Sequence, residues 1–241
     1  MPFPILSKLL GVELSEVSFT EKLIATLGGG LSILVLIAIS SWVLPANAAL
    51  PVITSMGASA VLLFAVPHGP LSQPWPVLLG HGLSAFIGVS CAACIPQTTL
   101  AAAVAVGLAI GAMHQFKCIH PPGGATAFAA VIGGPAVHKM GFWFVLCPVI
   151  FNAAVMVLLA VAINSVFRWR RYPAILNRSA RQASPGLEGN VPSPSHEEVV
   201  SALRSLDSFV DISEEDLLRL TRILSTGSNP ARAAEGAPQR P

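Results

Sequence analysis

The residues best suited to chemistry in this chain form one short run, His120-Pro121-Pro122-Gly123-Gly124-Ala125-Thr126-Ala127. Paired prolines fix φ and forbid continuation of a preceding helix, and proline suits the first turn of a new one. Gly123 and Gly124 then leave backbone N–H groups uncovered by side chains, and Thr126 adds a hydroxyl. A helix start of this kind presents free donors and a partial positive charge, both of which favour an anion. The competing reading is a kink that serves helix packing. An earlier run from Thr54 to Ser59, containing Gly57, is a candidate for a second terminus of the same kind.

Four further side chains are candidates for lining a path. His81 and His114 lie in apolar runs. Each can couple a proton to transport or simply hydrogen-bond between helices. Lys117, three residues before His120, can attract an anion or snorkel to water. Asn152 can line a path or bond a neighbouring helix. No metal site and no cofactor are expected. Cys91 and Cys94 form a C-x-x-C without a second pair or an adjacent His, so they read as small hydrophobes on a helix face. No H-E-x-x-H, G-x-S-x-G or Walker sequence occurs, so the chain is not expected to be an enzyme or an ATP-driven pump.

The surroundings of these residues decide what they can bind. The chain is 53% hydrophobic and 11% charged, whereas soluble domains carry about a quarter charged residues. Between Leu23 and Phe167 the only formal charges are Lys117 and Lys139, with no Asp or Glu. Carriers of cations and protons usually place carboxylates in their spans. A core without them suits an anionic or neutral solute. No basic stripe interleaved with aromatics is present, so nucleic acid is not an expected partner. The expected partners are the lipid bilayer and a small anionic solute, with a homo-oligomer left open.

The apolar runs define the elements that must position the site. Residues 1–21 read as a cytosolic leader without a cleavable signal peptide. Residues 22–168 read as the transmembrane domain, with spans near 23–44, 77–95, 98–116 and 141–167, each near the length that a bilayer requires. The runs 50–66 and 121–132 are shorter. The fold expected is an all-α polytopic helical bundle of four full spans plus two short or broken helices; six crossings is the alternative count. Trp42, Trp75 and Trp143 stand near span ends as interfacial anchors. Arg168, Arg170, Arg171, Arg178 and Arg181 follow the last span, which places both termini in the cytoplasm by the positive-inside rule. Residues 169–194 read as a basic segment and then a Pro/Ser/Gly linker. Residues 195–226 read as short capped cytosolic helices, and 227–241 as a disordered tail.

Gly57-Ala58-Ser59-Ala60 is echoed by Gly124-Ala125-Thr126-Ala127. Each is followed by a Gly/Pro loop containing a His and then by an aromatic and another apolar span. This predicts a two-fold internal repeat of span, broken element, span, a plan common in secondary transporters.

The run Ile119 to Ala127, together with Gly57 to Phe64 and Gly80-His81, resembles the HPP family of integral membrane proteins, named for its His-Pro-Pro motif. The resemblance covers roughly residues 20–170. It implies a bundle with transport function, nitrite being the substrate attributed to plastid and cyanobacterial relatives. It implies no catalytic residues, and only the motif from His120 to Thr126 carries over. The tail is too short for the paired CBS domains that some members carry. The functional expectation is transport of a small inorganic anion, nitrite first, across a bacterial inner membrane. The alternative is a membrane anchor or signalling subunit whose C-terminal helices bind a cytosolic partner. The expected site comprises His120, Pro121, Pro122, Gly123, Gly124, Thr126, Gly57 and Ser59, with His81, His114, Asn152 and Lys117 as lining or proton-coupling groups.

Overall fold

The computed structural model describes residues 18–43, 46–167 and 169–176. The proposed short helices at 195–226, the tail at 227–241 and most of the leader and linker lie outside these residues. The described elements are α1 (Phe19–Val43), α2 (Ala46–Ala65), a 3-10 turn (Pro70–Ser72), α3 (Pro74–Cys94), α4 (Thr98–Gln115), α5 (Pro121–Ile132), α6 (Gly134–Met140), a π-type turn (Val145–Ile150) and α7 (Phe151–Ser165). Among the described residues no strand is present. Four stretches are long and apolar enough to cross a bilayer: Phe19–Trp42, Pro74–Cys94, Thr98–Gln115 and Val145–Ser165. Their outward faces carry large apolar side chains such as Leu34, Leu108, Leu158 and Trp75, as lipid contact requires. Trp42 and Trp143 are likewise exposed.

Each break has a local cause. Gln73 is extended ahead of Pro74, and His120 ahead of Pro121, because the residue before a proline is pushed out of the helical region. α4 ends in a Schellman motif. The Cys118 N–H donates to Met113 O at 2.9 Å and the Lys117 N–H to His114 O at 3.2 Å. Lys117 sits at the left-handed position of that motif, with φ 52°, where glycine is usual. Gly134 and Gly141, both at positive φ, end α5 and α6. The last span is not straight: Pro148 and the extended Cys147 (φ −134°, ψ 117°) interrupt it above α7.

The direction of the helices follows from contacts at one end. Trp75 Nε1–H donates to Phe116 O at 3.4 Å, which sets the start of α3 beside the end of α4. Asn164 Nδ2–H donates to Leu63 O at 3.2 Å, which sets the end of α7 beside the end of α2. Phe142 packs on Phe86 with ring centroids 5.2 Å apart. Since Phe86 lies eight residues before the end of α3, the α5–α6 passage turns back roughly 12 Å short of it. α5 is therefore a short element flanked by full spans.

α3 and α5 approach at glycine distance. A Cβ on Gly88 would stand 2.6 Å from Ala127 O, and one on Gly80 would stand 2.8 Å from His120 Cβ. Gly80, Ser84 and Gly88 recur every fourth residue, the small-residue stripe that lets membrane helices pack without intervening side chains.

Two expectations change here. α2 runs unbroken from Ala46 to Ala65, so Thr54 to Ser59 provides no second helix terminus; its amides lie inside the helical ladder. Gly57-Ala58-Ser59-Ala60 therefore sits within a helix whereas Gly124-Ala125-Thr126-Ala127 opens one, and the sequence echo does not extend to two broken elements. Residues 169–176, read as the basic segment that follows the last span, pack against the bundle. Arg170 is 2% exposed. It pairs with Glu21 and donates to Phe64 O at 2.6 Å and Asn164 Oδ1 at 3.2 Å. Tyr172, fully buried, donates to Ser72 O at 2.8 Å; burial raises the pKa of its phenol, so it remains a donor. This segment straps the ends of α1, α2 and α7 to the 66–73 loop.

Gly88→Ala should cost about 1–3 kcal/mol by forcing α3 from α5, while Gly57→Ala, which meets nothing within 4 Å, should be neutral. Thermal unfolding in detergent distinguishes them. Arg170→Ala should cost about 3–5 kcal/mol by leaving buried partners unpaired, and Glu21→Gln distinctly less, because the two oxygen acceptors on α2 and α7 remain.

Candidate functional site

Four of the expected residues meet in one buried cluster. His81 of α3, His120 at the start of α5, Ser59 of α2 and Thr126 of α5 are all fully buried. The two rings stand edge to face with centroids 4.8 Å apart. Ser59 Oγ lies 2.8 Å from His81 Nε2 and 2.9 Å from His120 Nε2. His81 Nδ1 lies 2.7 Å from Thr126 Oγ1, and His120 Nδ1 lies 2.9 Å from Leu71 O. Ser59 is six residues before the end of α2, about 9 Å of helix rise inside it.

The chemistry of the partners fixes the protons. A carbonyl oxygen only accepts, so His120 Nδ1 carries the hydrogen given to Leu71. In the neutral ring His120 Nε2 is then an acceptor, and Ser59 donates its one hydroxyl hydrogen to it. The same Ser59 oxygen accepts from His81 Nε2–H. His81 Nδ1 is thereby an acceptor, and Thr126 donates to it. The order Thr126 to His81 to Ser59 to His120 to Leu71 satisfies every ring nitrogen without an ion.

The other expected residues divide. Pro121 and Pro122 supply the first turn of α5, and Pro122 is buried while Pro121 is exposed. Gly123 is not an open anion donor. Its N–H donates to His120 O at 2.8 Å, and a Cβ there would meet Ser84 Oγ at 2.8 Å and Gly80 O at 2.9 Å. Its lack of a side chain serves the α3–α5 approach. Gly124 and Gly57 are half-buried with open space where a Cβ would stand. Asn152 lies elsewhere, accepting from Ser40 of α1 at 3.2 Å, with its Nδ2 unpartnered. His114 and Lys117 are exposed. They line an open recess of about 240 Å³ with Pro70, Leu71, Pro76 and Ile119. Leu71 thus belongs both to the recess and, through its carbonyl, to the buried cluster.

Sequence reasoning missed Leu71 and the strap, and it took Ser55 only as part of the Thr54 to Ser59 run, not as a partner of Thr126. Ser55 Oγ stands 3.0 Å from Thr126 Oγ1, and its spacing of four from Ser59 on an apolar helix was a readable signal. A backbone carbonyl such as that of Leu71 leaves none. Among the described residues no group of His, Cys, Asp or Glu is arranged to hold a metal ion.

Alternating apolar spans with a polar cluster buried between them define a multi-pass α-helical membrane protein. The model for the transmembrane region of the HPP family matches residues 14–173, and the chain belongs to that family. Two transmembrane proteins of Dictyostelium discoideum are similar. One is 43% identical over 123 residues, covering 49% of this chain and 39% of the relative. The other is 40% identical over 125 residues, covering 50% and 44%. The chain spans less than half the length of these curated relatives, and neither bears on a bacterial inner membrane. No solved structure matches.

Thr126→Val should leave His81 Nδ1 buried without a donor and cost about 1–3 kcal/mol, whereas Thr126→Ser should retain most of the stability. Paired unfolding measurements check this.

Proposed function

We propose that the chain is a carrier, not an enzyme, for a small inorganic anion, with nitrite the leading candidate. The observation that carries this reading is the recess of about 240 Å³ whose polar side chains are His114 and Lys117, set against a core without a carboxylate from Leu23 to Phe167. A cation at the mouth raises the local concentration of anions, and no fixed negative charge opposes entry. The recess, not the first turn of α5, is the docking place, because Gly123 is packed and its amide is engaged. The buried His–Ser–His cluster behind Leu71 is the element that a docked anion acts upon. The positive-inside rule sets both termini in the cytoplasm, with the bacterial plasma membrane as the proposed location, so the recess faces the cytoplasm.

Uptake of labelled nitrite into proteoliposomes tests the reading. Saturable uptake above that of empty vesicles is expected, and uptake no greater than that of empty vesicles for several small anions would contradict it. Lys117→Gly removes the charge while relieving a left-handed position that glycine adopts freely. It should therefore fold at least as well as the parent. An exposed charge near an anion is worth about 1 kcal/mol, so uptake at low nitrite should fall roughly five-fold with the maximal rate little changed.

A further inference from the structure

We propose that His81 and His120 form one single-proton site, the proton being shared through Ser59 Oγ, and that this proton crosses with the anion so that transport is electroneutral. The second half rests on the carrier reading; the first does not.

The geometry provides for one added proton. If His81 gains it, Nδ1 becomes a donor to Thr126 Oγ1. Thr126 then turns its own hydrogen to Ser55 Oγ at 3.0 Å or Pro122 O at 3.3 Å. If His120 gains it, Nε2 becomes a donor to Ser59 Oγ. Ser59 then turns its hydrogen to Ser55 O at 3.3 Å, and its oxygen accepts from both rings. Either ring therefore holds the proton after one hydroxyl rotation, and no heavy atom need move. Transfer is balanced: cationic His81 passes its Nε2 proton to Ser59 Oγ as the Ser59 hydrogen passes to His120 Nε2, which leaves His81 neutral with its hydrogen on Nδ1, donating to Thr126, and Ser59 donating to His81 Nε2. Two added protons are different. Two imidazolium rings with centroids 4.8 Å apart would repel in a low-dielectric interior.

A charged ring here has no fixed counter-ion. α2 meets the cluster with Ser55 and Ser59, α5 with Thr126, and the 3-10 turn with the Leu71 carbonyl. The titratable neighbours are Cys118, buried two residues before His120, and the exposed His114 and Lys117 at the recess. No Asp or Glu lies between Leu23 and Phe167, and Glu21, at the start of α1, is taken by Arg170. The missing negative charge is what an anion entering past Leu71 supplies, and the pair of opposite charges is cheaper to hold in the interior than either alone. Leu71 links the two events, since the residue that lines the recess also holds His120 Nδ1–H.

Nitrogen-15 NMR of the histidine-labelled full chain in lipid nanodiscs tests the proton site, with His81→Gln and His120→Gln for assignment. In mildly alkaline buffer His120 should be the Nδ1–H tautomer and His81 the Nε2–H tautomer. Acidification should add one proton to the pair, exchanging between the rings. Ser59→Ala should abolish the exchange and Ser59→Thr should keep it. The reverse tautomers, two cationic rings together, or exchange undiminished in Ser59→Ala would overturn the site. Should His81→Gln or His120→Gln not fold, a chain with His68, His114, His138 and His196 changed to Gln leaves only the two rings to be observed and decides the tautomers. Nitrate and nitrite uptake into proteoliposomes, with the potential clamped by potassium and valinomycin, tests the accompaniment. Uptake driven by a pH gradient and indifferent to potential supports it. Uptake driven by potential alone overturns it and leaves the carrier reading intact. No uptake of either anion removes both the carrier reading and the accompaniment, while the NMR result stands for the proton site.

Discussion

One hydroxyl holds the centre of this protein. Ser59 Oγ bridges two histidine rings that come from different helices, and it can do so only because α3 and α5 meet at glycine distance along Gly80, Gly88 and Gly123. In hydrocarbon the alternative to that bridge is a buried polar group without a partner, which costs several kcal/mol. Satisfying the rings thus constrains three helices at once: α2 through Ser59, α3 through His81 and α5 through His120 and Thr126. The glycines and the polar cluster are two parts of one device, the first setting the distance and the second giving it direction.

The His-Pro-Pro motif gains a physical meaning from this arrangement. Its prolines begin α5 and force His120 into an extended conformation. That conformation lets the ring reach Ser59 on one side and the Leu71 carbonyl on the other. The glycine that follows is needed for close packing against Gly80 and Ser84 rather than for a ligand. The motif is therefore a junction where a short helix, a full span and a loop are locked together. The strap of Arg170 and Tyr172 steadies the same loop from outside, with Tyr172 donating to Ser72 O one residue from Leu71.

Much of this was legible in the sequence. Four spans were set by apolar runs whose lengths match the bilayer, and their ends fell at prolines and glycines that the structure uses as breaks. His81, His120, Ser59 and Thr126 stood out as polar residues in an apolar setting. Their convergence did not, because three-dimensional proximity across 22 to 61 residues leaves no periodicity to read. The Gly57 run was misread as a terminus because small residues look alike whether they open a helix or pack inside one. The strap was read as a plain basic segment because Arg170 resembles a positive-inside marker until its buried acceptors are known. Gly123 was misread as a donor because a glycine after prolines satisfies two physical demands, and only the position of α3 decides between them.

The claim that supports the rest is that Ser59 couples the two rings energetically. A double-mutant cycle on unfolding in lipid micelles, with Ser59→Ala and His120→Gln made singly and together, measures that coupling. The account predicts an interaction energy of about 0.5–3 kcal/mol, because each change removes the same shared hydrogen bond. Additive effects, within about 0.3 kcal/mol, would mean that the serine and the ring act independently, and the cluster could not then be the centre of the bundle.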